Sequence, residues 1–460
     1  MERYGEKFPS AFFILIESHV FIRSDMAESM RLSSIFAILT VCGMQSHKSG
    51  AFRIIELSFT RIKLYSNLSP SRSVGSLLLL ISMARFVSLC RRGFSNAPDR
   101  RFPPQPVPPS EVGAAGIEWS KLFFEHVPTY GHLRATFKDG RWSELSFHRD
   151  PYLQTHVLAN VFHYGQAAFE GMKVFHSKDG KVRVFSDRLN WERLNHSCTR
   201  LRMPCISWEL WESAINNVVR YNCSYIPPFG SEGALYIRPF MIGSGAQLGV
   251  APSSEYTFAV VCSPVGSYYR TKKLTSLKAF VPTESDRTAP LGIGDAKAAA
   301  NYAADLDSLM SAKEKGYPIC LYLDPVEGRY VTEFNTSNFI AISKDRRAYI
   351  TPPASRSILN SVTNRRLAEA AEKIFNLRIE RRMVDFEAEV RSESWSEVGA
   401  VGTAVVVTPI KSITKDGECF EFNQEPETLQ LLHDYLRAVQ VGVEQDKFCW
   451  LREIPLFPAQ

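Results

Sequence analysis

Two pairs of β-rich runs, each joined at an Asp-Gly dipeptide, constrain the fold of this chain more than any other feature of its sequence. The runs 133–138 and 142–147 flank Asp139-Gly140, and the same arrangement recurs around Asp179-Gly180. Asp-Gly between two such runs is typical of a tight turn that joins antiparallel neighbours. The sequence therefore predicts antiparallel hairpins in this part of the chain.

Helix-like and strand-like segments follow these hairpins. A helix is predicted at 187–201, because its apolar residues recur at helical spacing. Together with the hairpins, this pattern predicts the α+β class for the first half of the organised chain. The remaining predictions are helices at 298–315 and 364–375 and strands at 172–176, 181–185, 234–242, 256–262, 319–324, 330–334, 338–343 and 404–407.

Composition shifts along the chain suggest its domain boundaries. The prolines of FPPQPVPPS indicate a stiff linker, and a Ser-Pro-Val-Gly segment indicates a second one. We expect an N-terminal extension at 1–95, a Pro-rich linker at 96–116, a small domain at 117–262, an interdomain loop at 263–272 and a large domain at 273–455.

The segment 83–95, MARFVSLCRRGFS, differs from the rest of the N-terminal extension. It begins with Met, carries three arginines and has no acidic residue. This composition is typical of a mitochondrial transit peptide, although a basic disordered tail would look similar. We expect a mitochondrial location, or a cytoplasmic one if the peptide is not used, and Met83 is a candidate translation start.

Charge and cysteine usage exclude several classes of protein. Residues 1–110 carry 14 Lys/Arg against 7 Asp/Glu, so the rest of the chain is close to neutral although the whole has a net charge of +6. A neutral body argues against nucleic-acid binding, and the apolar runs are too short for stable membrane insertion. The 9 cysteines form no CxxC pair and the histidines form no HExxH motif, so neither a disulfide framework nor a metal site is predicted.

Lys297 and Glu333 are the first candidates for chemistry. Lys297 is the only long side chain among small neighbours at the start of a predicted helix. A lysine becomes nucleophilic when it is desolvated, and small neighbours leave room for a flat ring. Glu333 ends a predicted strand before a polar loop, which suits a carboxylate that pairs with a protonated ring nitrogen. Each residue taken alone is more often an ordinary surface residue.

Three further segments could bind anions. Ser361-Val362-Thr363 begins a predicted helix, where free amides and the helix dipole favour negative charge. Gly402-Thr403-Ala404 precedes a predicted strand and could offer backbone amides in the same way. Arg238 lies within an apolar strand and needs an anionic partner, which is either an acidic residue across the sheet or a substrate carboxylate.

Seven motifs occur in an order that is specific as a set. They are FHYGQAAFEGMK (162–173), ERL (192–194), LYIRP (235–239), KxxxNY (297–302), TEFNTSNF (332–339), SVTNRR (361–366) and GTAVVVTPI (402–410). With these motifs the chain resembles the branched-chain amino-acid aminotransferases, which are pyridoxal-phosphate (PLP) enzymes of fold type IV. The resemblance implies a two-domain fold with a smaller α/β N-terminal domain and a larger C-terminal domain with a β-barrel-like core.

The resemblance also implies a role for each matching residue. Lys297 would hold PLP as a Schiff base and move the substrate proton, while Glu333 would pair with the pyridine nitrogen and Tyr302 with the cofactor's phenolic oxygen. The phosphate would be held by Arg193, Val362, Thr363 and Thr403. The substrate carboxylates would meet Tyr164, Tyr236, Arg238, Thr403 and Ala404, and the apolar side-chain pocket would be shaped by Phe169 and Tyr268.

The implied reaction moves the amino group of leucine, isoleucine or valine to 2-oxoglutarate in a homodimer with active sites at the subunit interface. Ala298-Ala299-Ala300 stands where the family usually has two glycines after the lysine, and Asn360-Ser361 where it has Pro-Gly or Pro-Ser. The alternatives are a D-amino-acid aminotransferase or aminodeoxychorismate lyase of the same fold, and a catalytically silent binding paralogue.

Overall fold

The computed structural model describes residues 112–266, 273–422 and 425–456, together with the backbone of five strands nearer the N-terminus. The chain divides into two compact units, Met1–Ala97 and Pro98–Gln460. The predicted transit segment 83–95 and the prolines of the predicted linker lie outside the described residues. The five strands of the first unit form an antiparallel sheet in the order β2-β1-β5-β4-β3: β1 (Phe13–Ile16), β2 (Val20–Arg23), β3 (Met44–Ser49), β4 (Phe52–Leu57) and β5 (Ile62–Ser66).

The second unit contains two sheets, and the first of these is wholly antiparallel. Asp139 and Gly140 have φ values of 50° and 78°. A two-residue turn of this kind needs positive φ at both positions, and the Asp-Gly pair therefore forms the predicted hairpin. The strands are β6 (His132–Lys138), β7 (Arg141–Trp142), β8 (Ser146–His148), β9 (Ala167–Phe169), β10 (Met172–His176), β11 (Val182–Phe185), β12 (Ala234–Gly243), β13 (Tyr256–Val265) and the C-terminal β23 (Leu451–Glu453).

Three helices accompany this sheet: α1 (Asn160–Tyr164), α2 (Asp187–Arg200) and α3 (Trp208–Tyr221). The helix α3, which the sequence analysis did not predict, buries Trp211, Ile215 and Val218 at helical spacing. Ser207 caps its first turn by accepting a hydrogen bond from the Leu210 amide, which typically stabilises a helix by about 1 kcal/mol. Apolar burial of one face thus fixes α3 against the sheet.

The second sheet closes into a barrel of six strands, in the order β16-β15-β14-β21-β20-β17. The closure is a pairing of Glu333 on β16 with Asn338 on β17. The predicted α+β class and the β-barrel-like core are confirmed. The strands are β14 (Leu277–Phe280), β15 (Ile319–Leu323), β16 (Val331–Phe334), β17 (Asn338–Ser343), β18 (Ala348–Thr351), β19 (Arg378–Arg381), β20 (Trp395–Gly402), β21 (Val406–Lys415) and β22 (Glu418–Glu421).

The helices of this half are α4 (Ala299–Ala304), α5 (Leu306–Glu314), α6 (Val362–Lys373), α7 (Phe386–Arg391) and α8 (Glu427–Gln440). The prediction of a single helix at 298–315 is wrong, because α4 and α5 are separated at Asp305. This residue is buried and accepts a hydrogen bond from the Tyr322 hydroxyl. The strand predicted at 404–407 begins instead at Val406, and Ala404 lies in the turn before it. Within the described parts of the chain, no helix is both long enough and apolar enough to cross a membrane.

Candidate functional site

Lys297 lies two residues before the first residue of α4. Its neighbours Ala296 and Ala298 are both buried. Its Nζ donates a hydrogen bond of 2.7 Å to the Tyr302 hydroxyl. The same nitrogen lies 4.7 Å from the centre of the Phe169 ring and 5.0 Å from that of Tyr302. Aromatic faces attract an ammonium group, so the two rings direct the amine toward a defined place.

Phe169 and Tyr302 are themselves in contact, with ring centres 5.0 Å apart. Phe169 is fixed from its backbone, because its amide donates to the Lys297 carbonyl at 3.1 Å. Strand β9 also bridges to the start of α4 through Ala168 and Ala298. The structure therefore brings together Lys297, Tyr302 and Phe169, three of the residues selected from sequence.

Glu333 is buried at the seam of the barrel, with 3% of its surface exposed. One carboxylate oxygen accepts from the Asn338 amide at 2.7 Å, and the other accepts from the Leu359 backbone amide at 2.9 Å. Asn338 is held in turn by Asn364, whose side chain also meets Thr351. The position and direction of the carboxylate are thus determined by the fold.

Arg287 forms a buried ion pair with Glu333, with 2.5 Å between its Nη2 and a carboxylate oxygen. The same nitrogen donates to the Ser357 carbonyl at 2.7 Å, while its Nε is buried without an acceptor. Burial raises the pKa of the Glu333 carboxyl, and Arg287, the two hydrogen bonds and the charge of Lys297 act in the opposite direction. The sequence analysis missed Arg287, since nothing local marks an arginine whose partner lies 46 positions away.

Arg193 on α2 pairs with Glu170, another residue that the sequence analysis left without a role. Its Nε and Nη2 donate to the two carboxylate oxygens at 2.7 and 2.8 Å, and its Nη1 donates to the Asn360 carbonyl at 3.1 Å. Glu170 is fully buried and also accepts from Asn190. The ion pair fixes the guanidinium next to the segment that begins α6.

The first turn of α6 offers free amides to an anion. Ser361 caps the helix, because its hydroxyl accepts the Asn364 amide and its carbonyl accepts the Arg365 amide. The amides of Val362 and Thr363 have no acceptor within the helix, as at any helix start. Both residues line a small cavity together with Thr403 and Lys173. Three residues expected at the phosphate are therefore adjacent in the structure.

Thr403 and Ala404 lie in the short turn between β20 and β21, which is closed by the pairing of Gly402 with Val406. Val406 has a φ of 72°, which is a strained conformation for a β-branched residue. Lys173 reaches this turn from the first sheet and donates to the Ala404 carbonyl at 2.6 Å. Burial, with a smaller contribution from Arg437, lowers the pKa of Lys173 to about 7.

Tyr236 and Arg238 point to the same side of β12, and the Arg238 Nη2 donates to the Tyr236 hydroxyl at 3.0 Å. The Arg238 guanidinium lies 4.9 Å from the centre of the Phe169 ring, and its Nε is buried without an acceptor. No ion pair joins Arg238 to a carboxylate among the residues that the structure describes. A Cβ at Gly171 would lie 2.0 Å from the Tyr236 hydroxyl oxygen, so glycine is needed there.

Two predicted residues are not placed in this group. Tyr164 is 39% exposed, and its hydroxyl donates to the carbonyl of Leu248. Tyr268 lies outside the described residues.

The group of residues fits the cofactor that the resemblance implies. The amine of Lys297 acts electrostatically on the buried Glu333 carboxylate, which accepts from Leu359, two residues before the capped start of α6. The orphaned Nε of Arg238 leaves a donor for a carboxylate. A flat ligand with a ring nitrogen at one end and a phosphate at the other needs these three kinds of group.

Comparisons with known proteins point to one family. The sequence model of the family described as Amino-transferase class IV matches residues 167–413. A branched-chain-amino-acid aminotransferase of Helicobacter pylori is 38% identical over 338 residues, which are 74% of this chain and 98% of that protein. The chloroplastic branched-chain-amino-acid aminotransferase 5 of Arabidopsis thaliana is 34% identical, over 73% of this chain and 80% of that protein.

Solved structures give the same fold. The branched-chain amino acid aminotransferase of Thermobaculum terrenum, solved in its PLP form, superposes with a TM-score of 0.58 at 22% identity. The match covers 72% of this chain and all of that one.

Proposed function

The chain belongs to the class IV aminotransferases and, within them, to the branched-chain-amino-acid aminotransferases, and we propose that it transfers the amino group of leucine, isoleucine or valine to 2-oxoglutarate with the help of PLP. The products are a branched 2-oxo acid and glutamate. The observation that carries this proposal is that the amine of Lys297, which donates to Tyr302, lies close enough to the buried Glu333 carboxylate for its charge to lower the pKa of that group.

PLP, when bound, supplies an aldehyde that accepts an amino group and a ring that stabilises negative charge at the substrate Cα. Lys297 would hold it covalently through Nζ, and Glu333 would face its ring nitrogen. Arg193, Val362, Thr363 and Thr403 would hold its phosphate. The free amides at the start of α6 support this assignment, because they need an anionic acceptor.

Lys297 also moves the substrate proton in this proposal. Its Nζ would be the base that takes the proton from the substrate Cα and later returns it. Tyr302 keeps the amine in place through the 2.7 Å hydrogen bond. The Phe169 and Tyr302 rings lie 4.7 and 5.0 Å from the amine and limit the directions that it can take.

Glu333 keeps a positive charge at the ring-nitrogen end of the site. A carboxylate there favours a protonated nitrogen, which lets the ring accept electrons from Cα. Arg287 opposes the protonation that burial favours in this carboxyl.

Arg238 and Tyr236 would bind the substrate carboxylates, with Thr403 and Ala404 offering the backbone of their turn. The buried Nε of Arg238, which has no protein acceptor, supports this role. Phe169 and Tyr268 would form the apolar side of the pocket. The pocket must accept both an aliphatic side chain and the second carboxylate of glutamate, and an arginine beside a phenyl ring serves both.

We also propose a homodimer. The segments 157–164 and 246–251 are adjacent, since Gln247 donates to the Leu158 carbonyl and Asn160 to the Ala251 carbonyl. Together they expose a large apolar surface, which in a soluble enzyme a second copy would cover. Its exposed side chains are Val157, Phe162, Tyr164, Leu248 and Val250.

Tyr164 would then serve the site of the neighbouring subunit. A heterodimer that combines Lys297→Ala in one subunit with Tyr164→Ala in the other tests this. If Tyr164 acts across the interface, one site stays intact and about half of the wild-type activity remains. Activity at about half the level of the Tyr164→Ala homodimer would place the tyrosine in its own subunit's site.

A mitochondrial location rests on the composition of residues 83–95, which are basic and free of acid. Residues 83–116 fused to a fluorescent protein should direct it to mitochondria. Replacement of Arg85, Arg91 and Arg92 by Gln should leave it in the cytoplasm, and import that survives this change would contradict the proposal.

The decisive experiment is a visible absorption spectrum of the purified chain with added PLP. We expect a band that is absent from Lys297→Ala and that bleaches on addition of L-leucine and returns with 2-oxoglutarate. The matched control is Lys313→Ala, which replaces an exposed lysine on α5 and should behave as the wild type.

Three outcomes would overturn the assignment. A band that survives Lys297→Ala would exclude the lysine as the anchor. Bleaching by D-alanine but not by L-leucine would indicate a D-amino-acid aminotransferase. No bound PLP at all would indicate a silent paralogue.

A further inference from the structure

One face of α2 holds the segment that carries Lys297. Four residues of α2 lie on the same side of the helix, because successive members are three, one and three positions apart. They are Arg193, His196, Ser197 and Arg200. Arg193 pairs with Glu170 as described above, whereas the other three side chains contact residues 292–297. The helix therefore contacts both the arginine expected at the phosphate and the lysine expected at the aldehyde.

Ser197 is the centre of this contact and is fully buried. Its hydroxyl donates to the Arg193 carbonyl at 2.9 Å and accepts from the Lys297 backbone amide at 2.8 Å. Both hydrogen-bonding directions of the hydroxyl are thus used. A single side chain joins the backbones of two residues that act at different ends of the site.

Asp295 supports the same segment from the exposed side. Its carboxylate accepts from His196 at 2.9 Å and from the Arg200 Nε at 3.2 Å. Arg200 also donates to the Gly292 carbonyl. These contacts fix the approach to Lys297, while the Ser197 hydroxyl fixes Lys297 itself.

Backbone placement matters for this lysine because its side chain is long and flexible. Its carbonyl is held by Phe169 and its amide by Ser197. If the amide were released, the start of α4 could shift, and a misplacement of about 1 Å at a reacting atom costs about a hundredfold in rate.

We propose that Ser197, supported by Asp295, is a positioning residue that aligns Lys297 with the aldehyde of the bound cofactor. The proposal rests on the proposed function. Ser197 touches neither cofactor nor substrate and acts through the backbone of Lys297. It therefore affects the step that uses the lysine and leaves the binding of the phosphate almost unchanged.

The test compares the affinities of the purified full chain for PLP and for pyridoxamine phosphate, measured by equilibrium dialysis. Pyridoxamine phosphate has no aldehyde and cannot bond to a lysine, so its binding is independent of Lys297 alignment. For Ser197→Ala we expect about tenfold weaker PLP binding, about 1.4 kcal/mol, with pyridoxamine phosphate binding within about twofold of the wild type. The kcat with leucine should fall while KM changes little.

Thr199→Ala is the matched control. Thr199 lies on the same helix and its hydroxyl donates to the Asn195 carbonyl at 2.9 Å, as Ser197 does to Arg193, but it is exposed. This variant should bind both ligands as the wild type does.

Asp295 provides a second pair of variants if Ser197→Ala does not fold. We expect Asp295→Ala to weaken PLP binding about threefold and Asp295→Asn, which keeps an acceptor for Arg200, to restore most of it. Equal losses for PLP and pyridoxamine phosphate, or no loss for either, would overturn the positioning role. A wild-type chain that binds neither ligand would instead refute the proposed function.

Discussion

At the Glu333 end of the site, both carboxylate oxygens have partners within the protein, whereas at the α6 end the amides of Val362 and Thr363 face a cavity. The first end is complete once the barrel has folded. The second end offers amides that no group within the helix accepts. From this difference we expect the carboxylate end to control reactivity and the anion end to supply most of the binding energy.

The largest expected effect is that of Glu333→Gln, which removes the charge and keeps the shape. We expect kcat to fall about a thousandfold, similar to the loss of other preorganised electrostatic groups, with a much smaller change in cofactor affinity. Glu397→Gln is the control, because Glu397 is also fully buried in the barrel and accepts two backbone amides. Steady-state kinetics check this, and a loss confined to affinity would reverse the comparison between the ends.

Arg287→Met breaks the buried ion pair and should lower the free energy of unfolding by about 3 kcal/mol. The pKa of Glu333, already raised by burial, should rise further without Arg287. A carboxyl whose pKa is raised in the folded state stabilises the fold at low pH and loses this contribution as pH rises through the raised pKa. The deficit of the variant should therefore be larger at pH 8 than at pH 5 in urea unfolding.

An equal deficit at both pH values would show that Arg287 supports packing alone. Arg391→Met is a suitable control, because Arg391 forms an exposed pair with Glu418 and should contribute little.

Thr363→Val tests the anion end. The substitution keeps the volume and removes a hydroxyl at the cavity, so we expect about tenfold weaker binding of PLP and little change in unfolding free energy. Binding of pyridoxal, which lacks the phosphate, should stay the same. If PLP and pyridoxal lost affinity equally, the cavity would not be the phosphate site.

Lys173→Met gives the smallest and most pH-dependent effect. Burial lowers the pKa of Lys173 to about 7, so the unfolded wild type binds more protons than the folded form between that pH and the ordinary lysine value. Wild-type stability should therefore rise with pH across this window, relative to the variant. Unfolding measured at pH 7 and pH 9 checks this, with the exposed Lys178→Met as control. A constant difference would mean that Lys173 does not titrate there.

The sequence predicted the local part of the fold well. Asp-Gly turns and apolar spacing depend on neighbouring residues, so the hairpins of β6–β7 and β10–β11 and the helix α2 were found within a few residues. The break at Asp305 was missed because it depends on Tyr322, which lies on another element.

The same distinction applies to the site. Lys297, Glu333 and Thr363 occur in contiguous motifs and were predicted, whereas Arg287, Glu170 and Ser197 act through contacts that only the folded chain creates. Asn338 stood within a recognised motif, but its hydrogen bond to Glu333 arises only from the pairing of β16 with β17.

The unusual backbone of Val406 limits how far this protein can be stabilised without loss of alignment. A residue of this type at a φ of 72° costs about 1–3 kcal/mol, which the buried neighbours of Val406 must offset. Engineering that relaxes the turn, for example with glycine, would recover part of this energy and loosen Thr403 and Ala404. If this turn binds the substrate carboxylates as proposed, we expect a gain in heat tolerance there to reduce the fidelity of their recognition.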